Sequence, residues 1–172
     1  MNRIMVLGVS SGVGKSTFAK RLGEKLSIEV YHLDRFYWEP GWKEADSADF
    51  EARQKNVIDQ DQWVIEGNYS STYELRAAKA DTIIYLELPL AVCLFRVVKR
   101  WWFYKGKTRT DMGEGCAEKL DTGFLKFILT TYGRRKKKMQ ERLKAFQDIG
   151  REKRVIQLRS KSDIQMFLDT YK

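Results

Sequence analysis

The residues carrying the most chemistry in this 172-residue chain are Gly12, Val13, Gly14, Lys15, Ser16 and Thr17. Two glycines, a lysine and two hydroxyls at this spacing form a loop that can wrap an anion. The glycines let successive backbone N–H groups turn inward, at the positive end of the helix that follows. A lysine so placed reaches the β- and γ-phosphates of ATP, and the first hydroxyl, on Ser16, ligates Mg²⁺. The full spacing of such a phosphate-binding loop (P-loop) puts its opening glycine at position 9, where this chain has Val9. Gly8 lies one residue early, so the loop is either one residue longer or opens on valine.

Two further carboxylates stand where a phosphate loop needs them. Asp34 follows the second apolar segment in His32-Leu33-Asp34-Arg35, facing the loop, and can take a proton from a substrate hydroxyl or bind Mg²⁺. The bland reading is a helix cap or turn residue. Glu66 closes the run Trp63-Val64-Ile65-Glu66. An acidic residue ending an apolar strand beside a P-loop holds Mg²⁺ directly or through water, and the length of Glu favours water. Gly67 then lets backbone or substrate approach closely. Arg76, just beyond, is expected either to contact an anionic substrate or to lie solvated at the surface. His32 is the only histidine; it is expected to pack, its side chain turned away from its neighbour's.

These residues must be positioned by strands and helices, and the pattern supplies both. Ile4 to Leu7 is β-prone and uncharged, and four more strand candidates follow at Ile28 to Tyr31, Trp63 to Glu66, Thr82 to Glu87 and Arg154 to Leu158. Helical periodicity appears between them: Phe18, Ala19, Leu22 and Leu26 after the loop, then around Phe50 to Val57, Tyr73 to Ala80, Ala91 to Phe103, Leu125 to Phe146 and Asp163 to Tyr171. Alternating β and α with mostly apolar strands predicts a three-layer α/β/α P-loop fold around a five-stranded parallel sheet, with a small helical lid. Ligands then bind at the carboxyl ends of the strands. With no linker in the chain, residues 1–172 are expected to form one domain.

The helix from Ala91 carries Arg96 and Arg100 on one face and runs into Trp101-Trp102-Phe103-Tyr104. Core packing is the expectation for Trp101 and Trp102, with a base-stacking platform as the alternative. Residues 105–122 are polar and contain glycine, the composition of a small mobile lid with little core. Arginines there, Arg109 among them, together with Arg96 and Arg100, would neutralise charge on transferred phosphates.

Bulk composition narrows the function classes. The chain is 43% hydrophobic and 32% charged, with no apolar run of membrane-spanning length. Cys93 and Cys116 are too few for a disulfide framework. A cytoplasmic protein is expected, with no membrane partner. The net charge of +9 and pI near 9.5 attract polyanions. The unbroken run Arg134 to Lys138 is expected to be a solvated helix face that matters little to phosphotransfer, with nucleic acid as its alternative partner.

Taken together, these motifs resemble the nucleotide-kinase-like P-loop proteins. More closely they resemble the DNA topology modulation family, a FlaR-related and adenylate-kinase-related group. The resemblance covers roughly the first 135 residues. It rests on the P-loop, on Tyr31-His32-Leu33-Asp34 with Trp38-x-Pro40-Gly41-Trp42, on Trp63 to Tyr69, on Ala80 to Leu86 and on the Arg96 to Arg100 helix. It implies a P-loop kinase fold that binds ATP and Mg²⁺, with Glu66 near the metal water and Arg96 or Arg100 over ATP. The arginine pattern of an adenylate kinase acceptor site is not reproduced. The expected activity is transfer of the ATP γ-phosphate to a small acceptor (a nucleoside, nucleotide or metabolite). The alternative is an ATP-dependent, nucleic-acid-binding regulator.

Overall fold

The computed structural model describes residues 1–150 and 152–171. Its centre is a sheet of five parallel strands: β1 (Arg3–Gly8), β2 (Val30–His32), β5 (Trp63–Glu66), β6 (Thr82–Leu86) and β7 (Arg154–Leu158), in the order β2-β5-β1-β6-β7. Ile4 to Leu7, all of β5 and all of β6 are buried, as strands covered on both faces must be. The flanking helices are α1 (Lys15–Leu26), α3 (Ser47–Ile58), α4 (Tyr73–Lys79), α5 (Leu90–Tyr104), α6 (Thr122–Asp148) and α7 (Lys161–Asp169). Helix α1 packs on α7, α3 on α4, and α5 on α6. This is the α/β fold the sequence predicts.

The order places the chemistry. The chain leaves β1 toward β2 on one side, and leaves β6 toward β7 on the other. A crevice therefore opens at the carboxyl ends of the central strands, where ligands bind in such sheets. Register adds a second consequence. His32 pairs directly with Glu66 across β2 and β5, so both side chains project from the same face of the sheet.

Four details differ from the sequence expectation. Strand β2 runs to His32 rather than ending at Tyr31, because pairing with β5 carries it on. A short helix α2 (Leu33–Tyr37) and a two-residue hairpin, β3 (Trp38–Glu39) with β4 (Lys43–Glu44), follow it; neither has length enough for a periodic signal. Residues 105–121 hold no helix, only turns and two isolated bridges, Lys105 with Glu118 and Thr108 with Ala117. Nor do they lack a core. Met112 and Cys116 are buried, Cys116 Sγ donates to Glu39 O at 3.2 Å, and Trp42 Nε1 donates to Ala117 O at 3.0 Å. The lid is docked on the hairpin. Finally, Trp102 is 75% exposed and Trp101 only half-buried, meeting Trp102 edge-on. Neither belongs to the core, because α5 turns only Cys93 and Val97 fully inward.

Candidate active site

The turn between β1 and α1 closes tightly against α5. Gly12 has φ +79°, and a Cβ there would lie 2.2 Å from the Cys93 carbonyl oxygen, so only glycine fits. The missing first glycine has a physical explanation. Val9 is buried, and its N–H donates to Leu86 O; it serves the core rather than the ligand. Gly8 is instead gripped by Asn68, which accepts from Gly8 N at 3.0 Å and donates to Gly8 O at 2.6 Å. The loop root is thus locked to the end of β5 by a residue the sequence reading gave no role.

At its other end the loop runs into α1, whose first turn has no side-chain cap and no acidic residue. The N–H groups of Lys15, Ser16 and Thr17 have no hydrogen-bond partner among the described residues. Orphan helix N–H groups beside Lys15 suit phosphate oxygens. They line a cleft of about 790 Å³ together with Val13, Arg96, Arg100 and Arg109.

Glu66 is the hub. Its Oε2 accepts from Ser16 Oγ at 3.1 Å and sits 3.0 Å from His32 Nδ1, while Oε1 lies 3.7 Å from Lys15 Nζ. Burial opposes its ionisation, but the contacts from His32, Lys15 and Ser16 outweigh this and hold its pKa below the usual carboxylate value. An ionised carboxylate can only accept, so His32 Nδ1 carries the proton. His32 is therefore not a packing residue: cross-strand register turns it toward Glu66, an alignment that no local pattern reveals. Among the described residues, no three His, Cys, Asp or Glu side chains converge as a metal cage. Ser16 and Glu66 suit Mg²⁺ of the kind held by few protein oxygens plus phosphate and water.

Asp34 opens onto the same cleft. Its Oδ1 accepts from the Tyr69 hydroxyl at 2.6 Å. Burial raises its pKa and the Glu66 charge raises it further, against opposition from the Tyr69 bond and the Lys15 and Arg109 charges. Tyr69 is held by ring contacts to Tyr37 and Phe50 at 4.8 and 5.0 Å. Two neighbouring carboxylates are thus pushed in opposite directions, Glu66 toward permanent ionisation and Asp34 toward proton uptake. That is the arrangement in which one serves charge and the other serves proton transfer.

The arginines divide into two sets. Arg96 Nη1 donates to Val13 O at 2.9 Å, tying α5 to the phosphate loop. Buried Glu118 joins Arg100 and Arg109 through one oxygen each, both at 2.8 Å, and Arg109 also meets Asp111 at 2.7 Å. Both guanidiniums line the cleft in a fixed pose.

Arg76 departs from both expectations. It is fully buried, and donates to the carbonyl oxygens of Thr72, Gly67 and Tyr69 at 3.2, 3.0 and 2.7 Å. Burial lowers its pKa. It braces the turn after β5 and has no open face for a substrate. Gly67 is needed there, but for Leu33, whose Cβ would lie 2.8 Å from a Cβ at this position; the close approach is made by protein.

The basic run is the solvated helix face expected, with Arg134, Lys136, Lys137 and Lys138 exposed, but it also borders the cleft. Arg134, Arg135 and Lys138 line a second lobe of the cleft, of about 670 Å³, which shares Lys15, Asp34 and Glu66 with the first. Lys136 points elsewhere and pairs with Glu87 at 2.9 Å. Helical spacing cannot tell a solvated face from one that looks across a cleft.

No protein-family model matches the chain, and no curated protein is recovered as a relative. Solved structures share its fold. Shikimate kinase from Acinetobacter baumannii, in complex with shikimate, aligns at 14% identity and TM-score 0.53 over 99% of this chain and 93% of that one. Shikimate kinase from Bacteroides thetaiotaomicron gives 18% and 0.51 over 98% and 95%. A gluconokinase from Sinorhizobium meliloti 1021 gives 14% and 0.52 over 98% and 94%. The chain is similar to these P-loop kinases in fold across nearly its whole length. At such identities, chemistry has to be argued from the site.

Proposed function

We propose that this chain is an ATP-dependent phosphotransferase that phosphorylates a hydroxyl of a small molecule. The reading rests on one observation: a partly exposed, proton-seeking Asp34 and an ionised Glu66 flank Lys15 at the mouth of an uncapped helix. Binding alone needs the loop; it does not need a second carboxylate tuned the other way.

In this reading the loop N–H groups and Lys15 hold the terminal phosphates. Ser16 and Glu66 are the residues that would hold Mg²⁺, which when bound spreads the charge of the β- and γ-phosphate oxygens. Arg96, Arg100 and Arg109 neutralise charge from the lid side, the last two kept in register by Glu118. Asp34 accepts the proton of the acceptor hydroxyl as its oxygen bonds to the γ-phosphorus and the bond to ADP breaks. Tyr69 fixes the Asp34 carboxylate in place. His32 supports Glu66 at the oxygen that also receives Ser16. Kinship with the DNA topology modulation proteins belongs to the same proposal, and rests on the motifs from Tyr31 to Asp34 and from Trp63 to Tyr69. The basic helix face does not favour a nucleic-acid partner, because Arg134, Arg135 and Lys138 face the cavity and Lys136 is paired.

Asp34→Asn tests this directly. It should retain ATP binding and the fold while cutting acceptor phosphorylation by ~10²–10⁴-fold, the worth of a positioned base. Background ATP hydrolysis should fall far less. Equal loss of both activities would assign Asp34 to the metal instead.

A further inference from the structure

The second lobe of the cleft has a charge pattern that phosphotransfer chemistry leaves unused. Its inner wall holds Lys15, Asp34 and Glu66, whose charges are already engaged with one another, with His32 or with Tyr69. Its outer wall is one face of α6, where Phe127, Thr131, Arg134, Arg135 and Lys138 recur at helical spacing. Among the described residues, neither Arg134, Arg135 nor Lys138 meets a carboxylate. Arg135 is half-buried; among the described residues it meets the Phe127 ring at 5.4 Å and lies near the Tyr85 phenol, with no carboxylate paired to it. Burial lowers its pKa. A half-buried, unpaired guanidinium is costly to keep unless something anionic meets it. Among the described residues no carboxylate does, although Lys136, another α6 cation, pairs with Glu87.

Arg76, the arginine that the sequence places next to Gly67, is spent on backbone carbonyls. Recognition of charge therefore falls to α6. The depth of the lobe separates two functions: a hydroxyl belongs at the inner end, by Asp34, and negative charge at the outer end, by the α6 cations. Tyr69 and Phe127 supply flat apolar walls between.

We infer that the phosphate acceptor is a small hydroxyl-bearing anion, a carboxylate or phosphate monoester, whose negative group is held by Arg135 with Arg134 and Lys138. This rests on the phosphotransferase reading and specifies its substrate class. Arg135 provides a planar fork for two oxygens, and the more exposed Arg134 and Lys138 add attraction at the rim.

The test uses the full chain with three acceptor sets: neutral (glycerol, glucose, adenosine), carboxylate (glycerate, gluconate, shikimate) and phosphate monoester (glycerol 3-phosphate, AMP). Each compound is assayed twice, by thermal shift in the presence of MgADP and by ADP release from MgATP. The expected result is stabilisation and turnover confined to one anionic set, which identifies the anion. Arg135→Gln should then raise the KM for that acceptor about 10–100-fold, the worth of a lost charged hydrogen bond, with the KM for ATP retained. Arg134→Gln and Lys138→Gln should each have a smaller effect. Stabilisation by MgATP with no response to any anion, or turnover of a neutral acceptor unchanged by the triple Gln variant, overturns the inference and leaves the ATP site standing. An anion that stabilises through Arg135 but is never phosphorylated supports the anion site and sinks the phosphotransferase reading instead.

Discussion

The hydroxyl of Tyr69 offers the sharpest probe of how this site works, because it can be removed with little else changed. It donates to Asp34 Oδ1 at 2.6 Å, and Tyr69→Phe keeps the ring packed on Tyr37 and Phe50. A hydrogen bond to an ionised group contributes about 1.5–3 kcal/mol, and one pKa unit corresponds to about 1.36 kcal/mol. Loss of the donor should therefore raise the Asp34 pKa by roughly 1–2 units, adding to the upward push from burial and Glu66. The sign follows from the proposed role. A base works only when ionised, so the acidic limb of the kcat/KM profile should move to higher pH by about those 1–2 units. Near the original limb the variant should be some 10–100-fold slower, and well above the new limb it should recover. The assay is ADP release with acceptor across a pH series, alongside ATP affinity at each pH. A limb that does not move in a folded variant would mean that Asp34 does not set it. A loss of the same size at every pH would mean that the hydroxyl acts on the substrate, not on Asp34.

Three further expectations follow from the same geometry. Lys15→Ala should abolish Mg²⁺-dependent ATP turnover in a folded protein, as read by ADP release and circular dichroism; retained turnover would remove the phosphate-loop assignment. Glu66→Gln keeps the size and loses the charge that Lys15, His32 and Ser16 converge on. It should raise the Mg²⁺ concentration needed for half-maximal turnover about 10–100-fold, with a smaller effect on ATP affinity. Arg76→Met leaves three carbonyl oxygens without their donor and should cost about 3 kcal/mol, a fall of some 6–12 °C in Tm for a chain of this size. Unaltered stability with a raised acceptor KM would return Arg76 to the substrate site.

Legibility in the sequence tracked how local each feature is. The glycine turn after β1 and the cleft positions of Asp34 and Glu66 could be read because a turn chemistry or a strand end announces them within a few residues, and the five strands because each is a short, mostly apolar run. His32 could not be read this way. Its role comes from lying opposite Glu66 in register, a relation between segments 34 residues apart. Asn68 and Tyr69 sit inside a motif the sequence shows, yet their partners lie on other elements, Gly8 on β1 and Asp34 on α2. Arg76 misled because arginine is rarely buried without an acid; three backbone carbonyls substitute for one here. The basic run could be read as solvated but not as bordering the cleft, since helical spacing states which residues share a face but not what that face looks upon. Glu118 carries no signal in the sequence, because a lone acid in a polar loop has none until Arg100 and Arg109 close on it.

The pair Asp34 and Glu66 explains why the site needs so much bracing. Two carboxylates near one lysine would compete for it, and whichever lost would take up a proton. Here the competition is decided structurally. Glu66 receives Ser16, His32 and Lys15, more donors than Asp34, which has the single Tyr69 hydroxyl. Glu66 therefore stays ionised, and its charge in turn raises the proton affinity of Asp34. The acid that holds charge makes the other a better base, and neither effect survives if the two strand ends move apart. Arg76 clamps the turn that follows Glu66, and Leu33 packs into Gly67 from the segment that carries Asp34. Residues without any contact to substrate thus set the distance on which the division of labour depends.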